Sequence, residues 1–570
     1  MAQSGGTITG TVVDPAGAVV ANASVEADNT ATNAKYPIST SNTGNYTMSE
    51  LPPGTYQLTI TAPGFKRFVR SGLAVQAAQT IRVDATLEVG ATSESVTVVE
   101  AAPMLKTESG ELSQTVAGET MDQLPLLSVG ADNSGIRNPY AATFMLPGAL
   151  VLGPNNNFLG INGTGVRING NPSASETALL DGMDNTNIMA QESQQENQPS
   201  QDAIAEFTVQ TSNYSAEYGQ TGGAVVNMVM KSGTNQFHGS AYYYLQNEDL
   251  NAGNPFTNDG NGHLLRPELR RNDYGLTLGG PVWIPKVYNG HDKTFFFFGW
   301  EQFLQNQTNL EPVQTVPTAA YRNGDFSSAI TAAGNHSLGT DPTGATIFAN
   351  EIFDPLTRQT VNGEVVTSPF ANNTIPLSRF DPVSLKMQSL LPAPFCVAGG
   401  VCNVNGVVNN WQNTEYSSRT TYIPSLKLDQ IIGPKDKLSF YWSKTGSYCL
   451  TCYGEDGLPQ PVSGTFGAGI YAQTERLNYD RIITPTVLLH LGVGFNYDDL
   501  GRPSVTPNYN SCSNVGLCSS AFTSPSTFPE VLGLYNNLGG GMTGGGPQPA
   551  NSVLPDGPTT CSRTSITSPA

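Results

Sequence analysis

The segment "KTFFFFGWEQF", Lys293–Phe303, runs four phenylalanines together and follows them closely with a tryptophan. A half-solvated strand alternates apolar and polar residues, and an amphipathic helix spaces its apolar residues by three to four. This segment does neither, so both of its faces must meet apolar surroundings. A soluble sandwich core offers that, and so does a strand between lipid and a packed interior. Other strands decide between the two. "TVLLHLGVGFNYDD" sets Val487, Leu489, Leu491, Val493, Phe495 and Tyr497 on one face, with Leu488, His490, Gly492, Gly494, Asn496 and Asp498 on the other. That is the alternation of a strand between lipid and a lumen. The run from Phe237 to Gln246 has the same period, and "KLSFYWS" repeats it with Leu438, Phe440 and Trp442 after a turn at 433–436. Phe296, Phe298 and Trp300 are therefore expected to face lipid, and Phe295 and Phe297 to face inward.

Composition agrees with a mainly β chain of several domains, since 60 Gly and 39 Pro in 570 residues favour turns over long helices. The excess of 46 acidic over 27 basic residues argues against nucleic acid, whose phosphates need a basic surface. No apolar run is long enough for a membrane helix, so any crossing is made by strands. The opening "MAQSGGTITG" lacks the basic and apolar regions of a signal peptide, which fits a cytoplasmic protein or a chain starting at a mature terminus or fragment boundary. Cysteine favours the second. All seven follow residue 395, and six form near pairs, Cys396 with Cys402, Cys449 with Cys452 and Cys512 with Cys518, suited to closing small loops in an oxidising compartment. Cys449-Leu-Thr-Cys452 has two other readings, half a zinc site or a redox motif, but no second pair and no βαβ pattern accompanies it. No metal site and no cofactor is expected.

Residues 1–90 read as a small β-sandwich of the transthyretin or immunoglobulin-like kind. Ile8, Gly10 and Val12 alternate, Asp14 to Gly17 turn, and Tyr46 with Met48, then Tyr56, Leu58 and Ile60, recur at alternate positions between Gly and Pro turns. The Gly-x-Val-x-Asp-x-x-Gly, Gly-x-Tyr and Leu-Pro-x-Gly-x-Tyr pattern over residues 7 to 88 resembles the carboxypeptidase regulatory-like domain. No peptidase follows from that name, because a zinc enzyme needs clustered ligands and the five histidines lie outside this unit and far apart.

Residues 91–113 form a linker around Ser95-Val96-Thr97-Val98-Val99, a short β-prone segment. It reads either as the last strand of the sandwich or as a peptide that pairs with a partner's sheet edge through main-chain hydrogen bonds.

Residues 114–233 carry "GVRINGNPSASETALLDGMDNTN" and "DAIAEFTVQTSNYSAEYGQTGGAVVNMVMKSGTNQFHGS". The order resembles the plug domain of TonB-dependent outer-membrane receptors, most closely the Oar-like subgroup. The matching positions are Arg167 in its strand, Asp181 and Gly182 at a strand end, Glu206 in the Ile204–Val209 strand, and Tyr218, Gly219, Gly222, Gly223 and Asn227 in the turn and strand that follow. Asn169 departs from the family's Arg-Gly turn. Gly219, Gly222 and Gly223 allow positive φ and close backbone approach, and Asp181-Gly182 is a turn pair. Arg167 is either buried in an ion pair with Asp181 or Glu206, or exposed on its strand. No phosphate loop is implied, since the glycines lack the Lys-Ser/Thr ending.

The resemblance implies a mixed α+β plug, followed over 234–570 by an incomplete antiparallel transmembrane barrel. Roughly 306–417 is expected as a large extracellular loop with a helix at 382–391. Plugged transporters have about 22 strands, so roughly six to eight fit here at about ten residues each, and a fragment or truncated product is expected. The implied function is transport of an extracellular substrate (siderophore, glycan, peptide or protein) across the outer membrane of a Gram-negative bacterium. TonB would grip Ser95 to Val99 from the periplasm, where the sandwich would lie, and outer-membrane lipid would surround the barrel. The alternative is a surface adhesin or structural β protein. No nucleophile, base and orienting group can be assembled, so an enzyme is not expected.

Overall fold

A computed structural model describes residues 5–99, 110–123, 166–171, 175–187, 198–214, 222–253, 262–433, 435–453, 457–463, 466–484, 487–501 and 509–516, with shorter pieces elsewhere after 136. Strands dominate. The first nine are β1 (Gly6–Val13), β2 (Ser24–Asn29), β3 (Lys35–Ser39), β4 (Asn45–Leu51), β5 (Gly54–Thr61), β6 (Arg67–Val75), β7 (Thr80–Arg82), β8 (Ala85–Thr86) and β9 (Ser95–Val99). One sheet runs β4-β1-β7, with β8 also on β1, and the other runs β3-β2-β5-β6-β9. The alternating apolar positions meet between the sheets, where Ile8, Val12, Val25, Tyr46, Tyr56, Leu58 and Ile60 are buried. Gly10 has a steric cause, because a Cβ there would sit 1.9 Å from the Val83 carbonyl oxygen, to which the Tyr46 hydroxyl donates.

The plug is built on a sheet of order β10-β15-β16-β13-β14, from β10 (Leu112–Ala117), β13 (Glu176–Leu180), β14 (Met183–Asp184), β15 (Ile204–Ser212) and β16 (Ala224–Met230), while β11 (Ala149–Val151) and β12 (Val166–Ile168) pair separately. A short helix, α1 (Gly118–Gln123), follows β10. Every residue of β16 is buried, as suits a central strand covered on both faces.

Among the described residues, seven long strands then run as consecutive antiparallel neighbours in one open sheet: β17 (His238–Gln246), β18 (Leu269–Pro281), β19 (Thr294–Leu310), β20 (Thr414–Ile431), β21 (Asp436–Tyr453), β22 (Phe466–Thr484) and β23 (Val487–Gly501), with a two-residue strand, Cys561–Ser562, on β23. Their polarity is the reverse of a soluble protein's. Leu276, Leu278, Leu428, Leu477, Val493 and Phe495 are exposed on one face, while Asp273, Glu301, Thr421, Ser443, Thr474 and Asn496 are buried on the other. Lipid is the environment that stabilises such a surface. In β19, Phe295 and Phe297 are buried, Phe296, Phe298 and Trp300 are only half-buried, and Phe297 enters the plug core with Phe207, Val226 and Met228.

Connections alternate in length. Segments 282–293, 432–435 and 485–486 join strands at one end of the wall, and 247–268, 311–413 and 454–465 join them at the other. The long 311–413 connection carries a helix, Pro382–Leu390, whose first turn is capped by Asp381. Arg322 ties down its far end by donating to the carbonyl oxygens of Gln388, Leu391 and Pro392.

Candidate functional site at the plug–wall junction

Glu301 lies on the same inward face of β19 as Phe295 and Phe297, and a buried carboxylate there needs a cation. Arg137, from the plug, supplies it. Its guanidinium lies 3.4 Å from Glu301, 3.2 Å from Asp202 of the plug and 3.4 Å from Asp273 of β18, all four side chains being almost completely buried. The Ser200 hydroxyl donates to Glu301 at 2.6 Å, and the Tyr242 ring of β17 lies 4.2 Å beneath the guanidinium carbon. One plug cation thus joins three wall strands. A second fastening is the Asp181 carboxylate, which accepts from the Met230 N–H at 2.9 Å and lies 3.0 Å from the Lys427 ammonium of β20. At β23, the Asn496 amide donates to the Asp184 carbonyl oxygen at 3.2 Å.

The expected plug residues do not all converge. Asp181 and Gly182 form a turn with positive φ, 47° and 74°. Arg167 is exposed and pairs with Leu150 across strands β11 and β12, so the buried ion pair with Asp181 or Glu206 is corrected. The cation that meets Asp181 comes instead from the wall, a partner about 250 residues away in sequence that local spacing does not reveal. Glu206 accepts from the Ala77 N–H of the sandwich at 2.7 Å, and burial pushes its carboxyl up to about 7 against the pull of that bond. Tyr218 packs with Leu179 and Val225. Asn227 is buried opposite Thr208 of β15. Gly223 meets the close-approach requirement, a Cβ there falling 2.5 Å from Ser175 Oγ. Gly222 does not, because its Cβ position is open and neither glycine has positive φ. Gly219 lies outside the described residues.

Ser95 to Val99 form β9, which pairs in parallel with β6, Ser95 opposite Arg67 and Val98 opposite Arg70. The segment is thus an edge strand of the sandwich sheet, and Ser95 and Thr97 are exposed. Lys66 steadies its start through ion pairs with Glu88 and Glu94. Cys396 is disulfide-bonded to Cys402 and Cys512 to Cys518. Cys449 is also disulfide-bonded, while the Cys452 side chain lies outside the described residues.

Sequence reasoning passed over Arg137, Asp202, Asp273 and Glu301. The available signal was Glu301 itself, a carboxylate inside an aromatic strand.

A wall with lipid-facing apolar and lumen-facing polar residues, fastened to a sheet packed on its inner face, defines an outer-membrane β-barrel with a plug. The chain belongs to the outer-membrane β-barrel family, since the family described as Outer membrane beta barrel domain matches residues 229–555. The Carboxypeptidase regulatory-like domain matches residues 7–88. The chain is similar to the TonB-dependent transporter Oar of Myxococcus xanthus, 30% identical over 309 residues, which is 52% of this chain and 26% of that protein. It therefore spans about a quarter of that relative's length. Among solved structures it is similar to the outer membrane transporter YddB of Escherichia coli, with TM-score 0.40 at 12% identity over 69% of this chain and 40% of that one. It is also similar to the ferric enterobactin receptor PfeA of Pseudomonas aeruginosa, with TM-score 0.29 at 11% identity over 71% and 51%.

Proposed function

We propose that this chain takes part in energy-coupled transport of an extracellular substrate across the outer membrane, with β9 as the handle that TonB grips. The observation that carries the reading is the position of β9. It is an exposed edge strand joined through residues 100–111 to β10 of the plug sheet, so a pull on it acts on both the sandwich and the plug. In such barrels short turns face the periplasm and long loops the exterior, which puts the sandwich, docked at the short-turn end, in the periplasm. The outer edge of β9 offers main-chain groups to an added strand, and its pairing with β6 holds them extended.

The test is Thr97→Pro against Thr97→Val in the receptor produced in its outer membrane, with abundance and crosslinking to TonB measured together. The Arg67 N–H donates to the Glu94 carbonyl oxygen, so in this parallel register residues 94, 96 and 98 turn their main-chain groups to β6 and Thr97 turns its own to the open edge. Proline removes a donor and fixes φ. Normal abundance with lost crosslinking is the expected result for Thr97→Pro, and Thr97→Val should behave as the parent. Unchanged crosslinking in Thr97→Pro would remove β9 as the handle.

A further inference from the structure

The sandwich does not hang free from the plug. Its Ala31 carbonyl oxygen accepts from the Asn235 N–H at 3.1 Å, and its Asn33 amide donates to Asp292, in the short 282–293 connection, at 3.0 Å. Asn235 and Asp292 bond each other twice, at 2.7 and 2.8 Å, so three segments form one network. The anchor is closely packed on the wall, because a Cβ at Gly233 would lie 2.4 Å from the Phe296 carbonyl oxygen and 2.6 Å from that of Gly280. On another side, Ala77 bonds Glu206 of the plug. On a third, Glu50 of β4 lies within electrostatic reach of Lys437, Asp480 and His490 on β21, β22 and β23. Between these contacts is a cavity of about 280 Å³ whose lining includes Tyr36, Glu50, Ala205, Ser232, Asp429 and Asn478, drawn from sandwich, plug and wall alike.

We infer that the sandwich is a cover over the short-turn mouth of the barrel, which must undock before the plug beneath it is exposed. Contacts of this kind, made through hydrogen bonds and charged groups around a cavity, separate at lower cost than a dry apolar interface because water replaces each partner. The covalent order gives the cover its trigger. β9 belongs to the sandwich sheet and precedes the plug, so force applied there loads the docking contacts as well as the linker to β10. This trigger rests on the proposed coupling to TonB, whereas the cover itself does not.

The experiment combines Ala31→Cys and Asn235→Cys, whose backbones are hydrogen-bonded, with Ala205→Cys as a reporter in the cavity, and uses a membrane-impermeant biotin maleimide applied from the periplasmic side. The reporter is expected to react at least ~10-fold more slowly with the 31–235 disulfide closed than after its reduction, as a cover held by a population shift requires. Failure of the disulfide to form, or equal labelling in both states, overturns the cover. A control receptor carrying Ala205→Cys alone shows whether reductant by itself changes labelling. In that control receptor, a protonophore that suppresses labelling supports the force trigger. Labelling indifferent to the protonophore, with the disulfide still protective, keeps the cover and counts against coupling to TonB.

Discussion

Arg137 faces three carboxylates, so its removal leaves Asp202, Asp273 and Glu301 buried with no cation between them. Breaking a buried pair by deleting one partner costs roughly 3–5 kcal/mol. Arg137→Ala should therefore loosen the plug and sensitise cells to large antibiotics that the outer membrane excludes, and adding Asp273→Asn and Glu301→Gln should recover part of the loss. Parental sensitivity in Arg137→Ala would show that the plug is fastened elsewhere. The two glycines of the plug turn separate at the same scale. Gly223→Ala drives a methyl against Ser175 Oγ and its carbonyl oxygen, at 2.5 and 2.6 Å, and should cost about 1–3 kcal/mol as an overpacked site. Gly222→Ala meets open space. Thermal unfolding of the purified receptor should fall for Gly223→Ala and stay near parental for Gly222→Ala.

At the scale of the element, period two in β23 carries the membrane assignment. Val493 is 57% exposed on the outer face, whereas Asn496 is buried and holds the Asp184 turn of the plug. A charge on the lipid face near the midplane costs roughly 2–4 kcal/mol. Val493→Arg should lower the amount of folded receptor in outer-membrane fractions, while Val493→Thr should leave it almost unchanged. Equal amounts of the two variants would mean that this face of β23 does not meet lipid. Inward positions are not a neutral control, since a substitution at Asn496 removes a plug contact as well.

For the whole molecule, the docking of the sandwich should depend on pH. The Glu206 carboxyl is raised from 4.5 to about 7 by burial when docked on Ala77, so the docked state holds a proton that the undocked state releases. Its contribution to docking is fully present below about 4.5 and is lost as pH rises through about 7. Burial also raises Glu50, with His490 and Lys437 opposing and Asp480 reinforcing the shift, so a second carboxyl acts in the same direction. A spin-label distance between sandwich and wall should lengthen in a growing fraction of molecules between pH 5.5 and 8.5. Glu206→Gln should weaken that dependence, and an unaltered pH profile in the variant would exclude Glu206 as a contributor. Much of this architecture was legible in the sequence. Alternation in β1, β5 and β23 is a local property, set by side chains that point to opposite faces of a strand, and the glycine and proline turns mark where strands end. Local pattern therefore determined the sandwich, the amphipathic wall and the inward place of Phe295 and Phe297. The partners of buried charges are another matter, because Arg137 meets Glu301, 164 positions away, and Asp181 meets Lys427, further still, and no spacing rule spans that distance. For the same reason the sequence leaves Arg167 open between an exposed place and an ion pair with Asp181, whose partner is Lys427. Whether 95–99 lies free or on a sheet, and whether the sandwich touches the barrel, depended on which edges and carbonyls the finished domains leave open, and only the tertiary structure decided that.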